Sequence, residues 1–336
     1  MKQRKSLGFV IAGFTLAIII LSGTKKVMAI DSDVLLKQSV NKINFTLLKE
    51  FPKEFYVYSM LVDDIDGDGK EEIVYKTSGN DEHGHIYIRS TDWTLKTKCF
   101  AGSSDNGQEK LIAADLNNDG KKELVTIAHP RDYSREYLIK IFDCGCHLLK
   151  EYPVKAGSTK KLFVQDIDGD GINELVAVTG YVPSNENHVY VIKINQQDIK
   201  DRELVELSQS GPLYQKFMET KDDFKRKYSE KCIIGNKTYD LPSGRVFKVD
   251  LFGDSKIETI VLAQQPVSYV GSTMIFVFDE DGELLWNYNY PTWINSIAFG
   301  DINDDGEKEI LVAGHSTDPI TVFGKIQQNN NSNGSK

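Results

Sequence analysis

The sequence predicts an all-β repeat protein, on three observations. An acidic nine-residue frame, Asp64-Ile65-Asp66-Gly67-Asp68-Gly69-Lys70-Glu71-Glu72, recurs along the chain. Its first residue returns as Asp115, Asp166, Asp250 and Asp301, in steps of 51, 51, 84 and 51 residues, which marks a repeat architecture. Each frame runs into β-forming residues, as in Glu72-Ile73-Val74-Tyr75, Glu123-Leu124-Val125-Thr126 and Glu309-Ile310-Leu311-Val312.

Taken in order, residues 1–29 stand apart. Lys2, Arg4 and Lys5 precede an apolar run from Leu7 to Leu21, and Val27-Met28-Ala29 makes a small-residue cleavage site. That is the pattern of a secretory signal peptide, with an uncleaved membrane anchor as the alternative. No Cys follows Leu21-Ser22-Gly23, which argues against lipoprotein processing. The chain is therefore expected to be exported, to the periplasm, the cell surface or the medium. A linker over 30–41 leads to a repeat region over 42–325, and 326–336 is a polar tail expected to be disordered.

Within the repeat region a third β run follows each frame, at 85–89, 137–142, 188–194, 273–278 and 320–323. A fourth follows in all but the last repeat, at 95–100, 147–152, 203–207 and 283–288. Phe45-Thr46-Leu47-Leu48-Lys49-Glu50-Phe51-Pro52 matches His147-Leu148-Leu149-Lys150-Glu151-Tyr152-Pro153, so the N-terminal segment is expected to supply the missing strand. The long interval holds an insertion at about 208–242, where Leu213, Phe217, Phe224 and Tyr228 predict a short amphipathic helix.

The frames read as cation loops. Calcium takes six to eight hard oxygens, and alternate residues of a tight loop face a common centre. Positions 1, 3 and 5 are Asp64, Asp66 and Asp68; Asp115, Asn117 and Asp119; Asp166, Asp168 and Asp170; and Asp301, Asn303 and Asp305. Position 7, which is Lys70, Lys121, Ile172 or Glu307, would offer its backbone carbonyl, and position 9 is Glu72, Glu123, Glu174 or Glu309. An EF-hand would need Glu at position 12 between two helices, but Tyr75, Thr126 and Ala177 stand there and strands follow. The frame at Asp250, Asp254 and Glu258 is degraded, with Phe252 at position 3 and Ser255 at position 6. About four Ca2+ sites are expected, with this one empty or weak.

Strand, acidic loop, strand resembles the FG-GAP or VCBS-type repeat of integrin α-chain propellers and of many secreted bacterial proteins. Ile297-Ala298-Phe299-Gly300-Asp301-Ile302-Asn303-Asp304-Asp305-Gly306 is the best copy, and the resemblance covers about 42–325. It implies a β-propeller with calcium between the first and second strands of each blade. The offsets then predict five four-stranded blades, the last closed by the N-terminal strand.

In that topology the ends away from the loops would face the usual ligand opening of a propeller. His129, Arg131, Tyr133, Trp293 and His315 are expected there, together with Asp132, Tyr181, Tyr269 and Asp318. Lys110, Lys161 and Arg245 occupy equivalent starts of innermost strands and are expected to ring the channel, with the insertion over its mouth. For each of these the bland alternative is rim packing or a solvated charge.

The chain carries a net charge of −9. Residues 1–29 hold five of the 40 basic residues and none of the 49 acidic ones, so the remainder stands at −14. With no basic face interleaved with aromatics, this argues against a nucleic-acid partner. Cys99, Cys144, Cys146 and Cys232 allow disulfides in an exported chain, with three pairings open. No nucleophile elbow, phosphate loop, GxGxxG or HExxH is present. The expected function is a monomeric calcium-binding module for a glycan or protein ligand, touching membrane only through an uncleaved leader. The alternative is a propeller enzyme acting on polysaccharide, such as a lyase or hydrolase.

Overall fold

The apolar run after each frame forms a strand covered on both faces. Glu72–Thr77, Glu123–Ala128, Glu174–Gly180 and Glu309–Gly314 are buried along their whole length. Such a strand has no polar alternation in its sequence, because sheet neighbours flank it and other sheets cover it. The computed structural model describes residues 29–30, 39–52, 56–77, 84–102, 111–128, 136–155, 158–180, 187–194, 199–219, 232–239, 244–264, 271–315 and 318–326. Residues 1–28 of the leader and 327–336 of the tail lie outside them.

In chain order, β1 (Ala29–Ile30) and β2 (Phe45–Phe51) precede the repeats. Sheet I is β3 (Val57–Asp63), β4 (Glu72–Thr77), β5 (His85–Ser90) and β6 (Leu95–Phe100). Sheet II is β7 (Leu111–Ala114), β8 (Glu123–Ala128), β9 (Glu136–Phe142) and β10 (Leu148–Lys155). Sheet III is β11 (Ser158–Gln165), β12 (Glu174–Gly180), β13 (Asn187–Lys193) and the two-residue β14 (Val205–Glu206). The insertion gives α1 (Pro212–Glu219), β15 (Cys232–Ile234) and β16 (Lys237–Tyr239). Sheet IV is β17 (Gly244–Val249), β18 (Glu258–Gln264), β19 (Thr273–Phe278) and β20 (Leu284–Tyr290). Sheet V joins β21 (Ile294–Gly300), β22 (Glu309–Gly314) and β23 (Ile320–Lys325) to β2.

The protein is an all-β propeller of antiparallel four-stranded sheets. β2 closes the last sheet in the register Leu47↔Phe323, Lys49↔Val322 and Phe51↔Ile320. Just before it, the same segment grips sheet IV. Val40 N–H donates to Asn287 Oδ1 (2.8 Å), Lys42 N–H donates to the Leu285 carbonyl (2.9 Å), and Asn41 bridges Trp286. One short stretch thus spans two neighbouring outer strands and covers their edges.

Neighbouring sheets meet through apolar side chains at four junctions. Ile65, Ile86 and Ile88 of sheet I meet Leu124 and Phe142 of sheet II. Val125, Ile139 and Tyr152 meet Leu175, Ala177 and Tyr190 of sheet III. Ile260, Ile275 and Trp286 of sheet IV meet Ile310, Val312 and Phe323 of sheet V, and Leu311, Ala313 and Val322 meet Ile73 and Tyr75 of sheet I.

The junction of sheets III and IV is built differently. Among the described residues no cluster joins them directly. Leu213 and Tyr214 of α1 pack on Val176, Val178 and Val189 of sheet III. Ile234 and Tyr239 of the β15–β16 hairpin pack on Val261, Ala263, Phe276 and Phe278 of sheet IV. The described part of the insertion therefore packs on the faces of sheets III and IV, and its remainder, 220–231 and 240–243, lies outside the described residues. The physical reason for this packing is its apolar side chains, which bury their surface against the sheets. The described part of the helix runs to Glu219, and Phe224 and Tyr228 lie outside the described residues.

Cys99 on β6 is bonded to Cys146 in the β9–β10 turn, tying sheet I to sheet II, and Cys144 is a free thiol. Closing a loop over 47 residues of separation is worth about 4 kcal/mol in the chain-entropy account. Among the described residues no helix is long and apolar enough to cross a membrane.

Candidate metal centres and the opposite face

The five frames fold into one loop, repeated down to individual atoms. The backbone N–H of position 6 donates to the second oxygen of the position 1 Asp in all of them. The pairs are Gly69 to Asp64, Gly120 to Asp115, Gly171 to Asp166 and Ser255 to Asp250, all 2.9 Å, and Gly306 to Asp301, 2.7 Å. Position 7 N–H donates to the Oδ1 of position 5, from Lys70, Lys121, Ile172, Lys256 and Glu307, over 2.8–3.0 Å. The Oε2 of each position 9 Glu accepts from position 2, as in Ile65 to Glu72 (3.1 Å), Leu116 to Glu123 (2.8 Å) and Ile302 to Glu309 (3.0 Å).

The backbone turns left-handed at position 6, with φ of 85° at Gly69 and 87° at Gly306. At Gly67 a Cβ would also meet the Gly120 carbonyl oxygen at 2.9 Å, so adjacent loops touch at a point where only glycine fits. Loop 4 keeps the same turn with Ser255 at φ 67°, a strained conformation for a residue with a Cβ. The substitutions that marked this frame as degraded therefore changed its oxygen donors and not its path.

With at least three carboxylate oxygens of each frame accepting backbone N–H groups, oxygens of positions 1, 3 and 9 still converge in two loops. Asp64, Asp66 and Glu72 bring one carboxylate oxygen each within 4.8 Å of one another, as do Asp166, Asp168 and Glu174. Glu174 Oε1 is buried with no hydrogen-bond partner, the state expected of an oxygen meant for a cation. Asn117 and Asn303 stand at position 3 of loops 2 and 5, and their amides donate to Glu123 Oε1 (3.0 Å) and Glu309 Oε1 (2.9 Å). In loop 4 the Phe252 ring faces the Lys325 ammonium at 4.1 Å and gives no oxygen. Hard oxygens around a tight turn suit Ca2+: the convergent carboxylates of loops 1 and 3 fit the ion, loops 2 and 5 keep the same frame with Asn at position 3, and loop 4 lacks the position 3 oxygen.

Every position 9 Glu sits at the foot of its sheet, and burial pushes its carboxyl up. Glu123 and Glu309 reach about 7, and Glu72, Glu174 and Glu258 move the same way. A carboxyl whose folded pKa is above its unfolded value binds more protons when folded, so stability falls as pH rises between the two values. In excess chelator the protein should therefore melt at a higher temperature at pH 5 than at pH 7.5. Saturating calcium should remove that difference, because the ion then carries the compensating charge. Melting curves at both pH values, with and without calcium, check this.

At the other end, Trp293, Tyr56 and His315 are exposed. The His315 N–H donates to the Trp293 carbonyl (2.7 Å), and its ring meets Tyr56 edge-on at 5.3 Å between centroids. Thr292 Oγ1 donates to Asp318 Oδ2 (2.7 Å). Sequence reasoning placed Trp293, His315 and Asp318 here but missed Tyr56, which precedes the first frame and so falls outside its count. Arg245 is exposed, and its guanidinium donates to the carbonyls of Ile294 (2.5 Å) and Asn295 (2.9 Å), which anchors it to the sheet V rim. Lys161 pairs with Val178 in the β11–β12 ladder. His129, Arg131, Tyr133 and Lys110 lie outside the described residues, as do Asp132, Tyr181 and Tyr269. Lys76 was also missed: it is fully buried between sheets I and II, with its ammonium 3.2 Å from Thr126 Oγ1.

Comparison with solved structures gives weak likenesses. The V. cholerae biofilm matrix protein Bap1 is 18% identical over 70% of this chain, which spans only 29% of Bap1, with a TM-score of 0.26. BBS1N, solved in complex with ARL6DN, is 11% identical over 85% of this chain and 98% of its own, at a TM-score of 0.35. The endo-arabinase from Bacteroides thetaiotaomicron is 12% identical over 88% of this chain and 99% of its own, at 0.32. Likenesses of this strength say nothing about activity or ligand. No curated protein matches. Residues 56–126, which hold the first two loops, match the FG-GAP-like repeat family, and the same loop geometry recurs three more times beyond them.

Proposed function

We propose that this protein is an exported, calcium-stabilised propeller that binds a glycan or protein ligand and works as a monomer. One observation carries the reading: the acidic loop is built at one end of every sheet, while the other end presents exposed aromatic side chains. The loop ends are then the metal-bearing frame, with calcium holding positions 1, 3, 5, 7 and 9 of loops 1, 2, 3 and 5. Calcium outside the cell is abundant enough for weak sites to fill. The Cys99–Cys146 bond suits an oxidising compartment, and the basic-then-apolar leader would direct the chain there. The surplus of acidic residues disfavours nucleic acid as the partner.

On the opposite face Tyr56, His315 and Trp293 offer flat, partly exposed rings. Such rings suit the C–H face of a sugar or an aliphatic side chain at little conformational cost. The test is a glycan array with the mature protein, followed by Trp293→Ala. We expect that variant to lose at least tenfold in affinity for any hit while its calcium-dependent melting temperature stays within about a degree. A hit whose binding survives both Trp293→Ala and Tyr56→Ala would place the ligand elsewhere.

A further inference from the structure

Loops 1 and 3 each contain a cation of their own. The Lys96 ammonium, reaching from β6, lies 2.8 Å from Asp66 Oδ2 and 2.7 Å from Glu72 Oε1. The Lys193 ammonium, from the end of β13, lies 2.9 Å from Asp168 Oδ2, 2.6 Å from Asp170 Oδ2 and 3.9 Å from Glu174 Oε1. The two lysines come from different strands of their sheets, so the repeat itself does not place them. They converge on the same carboxylates, those of positions 3 and 9.

Among the described residues, which loops have a lysine on their position 3 and position 9 carboxylates follows the residue at position 3. Lys256 and Lys325 pair instead with Asp254 at position 5 of loop 4 and Glu307 at position 7 of loop 5. Loops 1 and 3 have Asp66 and Asp168 there, and so four carboxylates over positions 1, 3, 5 and 9. Loops 2 and 5 have Asn117 and Asn303, hence three carboxylates, and there the amide of the Asn itself donates to the position 9 oxygen. One ammonium offsets one carboxylate, so all four loops reach the same net charge of −3 at these positions. Both lysine side chains are partly exposed, 35% for Lys96 and 50% for Lys193, so each can withdraw into water.

Resting on the calcium reading above, we infer that Lys96 and Lys193 are resident competitors of the ion that set the calcium affinity of loops 1 and 3. An ammonium and a calcium ion want the same oxygens. Asp66 Oδ2 and Glu72 Oε1 cannot serve Lys96 fully and also enter a shell of six to eight oxygens around calcium. Ion entry therefore breaks both contacts of Lys96, and the corresponding contacts of Lys193 in loop 3. While the ion is away, the ammonium groups hold the carboxylates together. Calcium-free loops 1 and 3 thus keep their frame, at the cost of weaker binding than four carboxylates would otherwise give.

The experiment is calcium titration calorimetry on the full mature chain, comparing wild type with Lys96→Met, Lys193→Met and the double variant. Methionine keeps the apolar stem and removes the charge. One site in each single variant, and two in the double, should tighten by about tenfold, the scale of removing a unit charge a few ångströms from a divalent ion at a partly exposed site. In chelator the same variants should melt at lower temperature than wild type. Lys96→Gln and Lys193→Gln should shift both readings in the same directions, which guards against a folding defect peculiar to Met. Lys237→Met, which removes a lysine paired with Glu283 away from the loops, should leave calcium affinity unchanged. Unchanged or weaker calcium binding in the Lys96 and Lys193 variants overturns the inference and leaves the calcium reading standing. A wild-type protein that takes up no calcium overturns both.

Discussion

Chelation should lower the melting temperature by well over ten degrees, and added calcium should restore it. Each loop carries three or four carboxylates over positions 1, 3, 5 and 9, three of them converge within 4.8 Å in loops 1 and 3, and every position 9 Glu is buried at the foot of its sheet. Charges of one sign at that spacing repel by kilocalories per pair in a partly buried setting. Lys96, Lys193 and the amides of Asn117 and Asn303 offset part of this. An ion that binds only the folded chain stabilises it by mass action, by about 2.7 kcal/mol per site at a hundredfold excess over its dissociation constant. Four such sites sum to roughly 10 kcal/mol, comparable to the whole stability of a typical domain. Because loops 1 and 2 and loops 4 and 5 touch through Gly67–Gly120 and Gly253–Gly306, the effect should be felt by the fold as a unit. Differential scanning calorimetry in chelator, and then at rising calcium concentrations, measures it. A melting curve indifferent to both would remove calcium from the account of this fold.

The strand pattern was legible from the sequence because each repeat is short and locally determined. The frames fix where a strand starts, and the apolar run after each, such as Ile73-Val74-Tyr75, fixes that it is covered on both faces. The match between the segment from Phe45 and that from His147 locates the closing strand, which pairs with Ile320–Lys325. Long-range geometry was less legible. The paths of Lys96 and Lys193 into the loops depend on sheet twist and side-chain reach, which no periodicity encodes. The hairpin at Cys232–Ile234 and Lys237–Tyr239 has strands of three residues, too short to give a pattern; its pairing with Ala29–Ile30 and its packing on Phe276 and Phe278 define it. Tyr56 was invisible for a similar reason: it meets His315 through ring closure, across 259 residues of chain.

Loop 4 shows how far a motif can decay while its geometry persists, and it provides the second large effect. Asp166 and Asp250 occupy position 1 of loops 3 and 4 and hold the backbone alike, since each Oδ2 accepts the N–H of position 6 at 2.9 Å. Truncation to Ala should therefore destabilise both, by about 1–3 kcal/mol for the stranded backbone donors, with or without calcium. The metal separates them. Asp166 shares its loop with Asp168, Asp170 and Glu174, whereas Asp250 has Phe252 where the position 3 oxygen belongs. Asp166→Ala should lose, in addition, the calcium-linked stabilisation of its site, about 2.7 kcal/mol at a hundredfold excess of the ion. The gap between the two variants should thus be wide in calcium and close in chelator, whereas a motif read only from sequence would predict a harmless Asp250→Ala under both conditions. Asp166→Asn keeps an oxygen that can accept the Gly171 N–H while removing the charge, so it should retain most of the chelator-state stability and lose most of the calcium-linked part. Equal calcium dependence in the Asp166 and Asp250 variants would show that loop 4 binds the ion as well as loop 3 does, and that the oxygen lost at Phe252 is supplied from elsewhere.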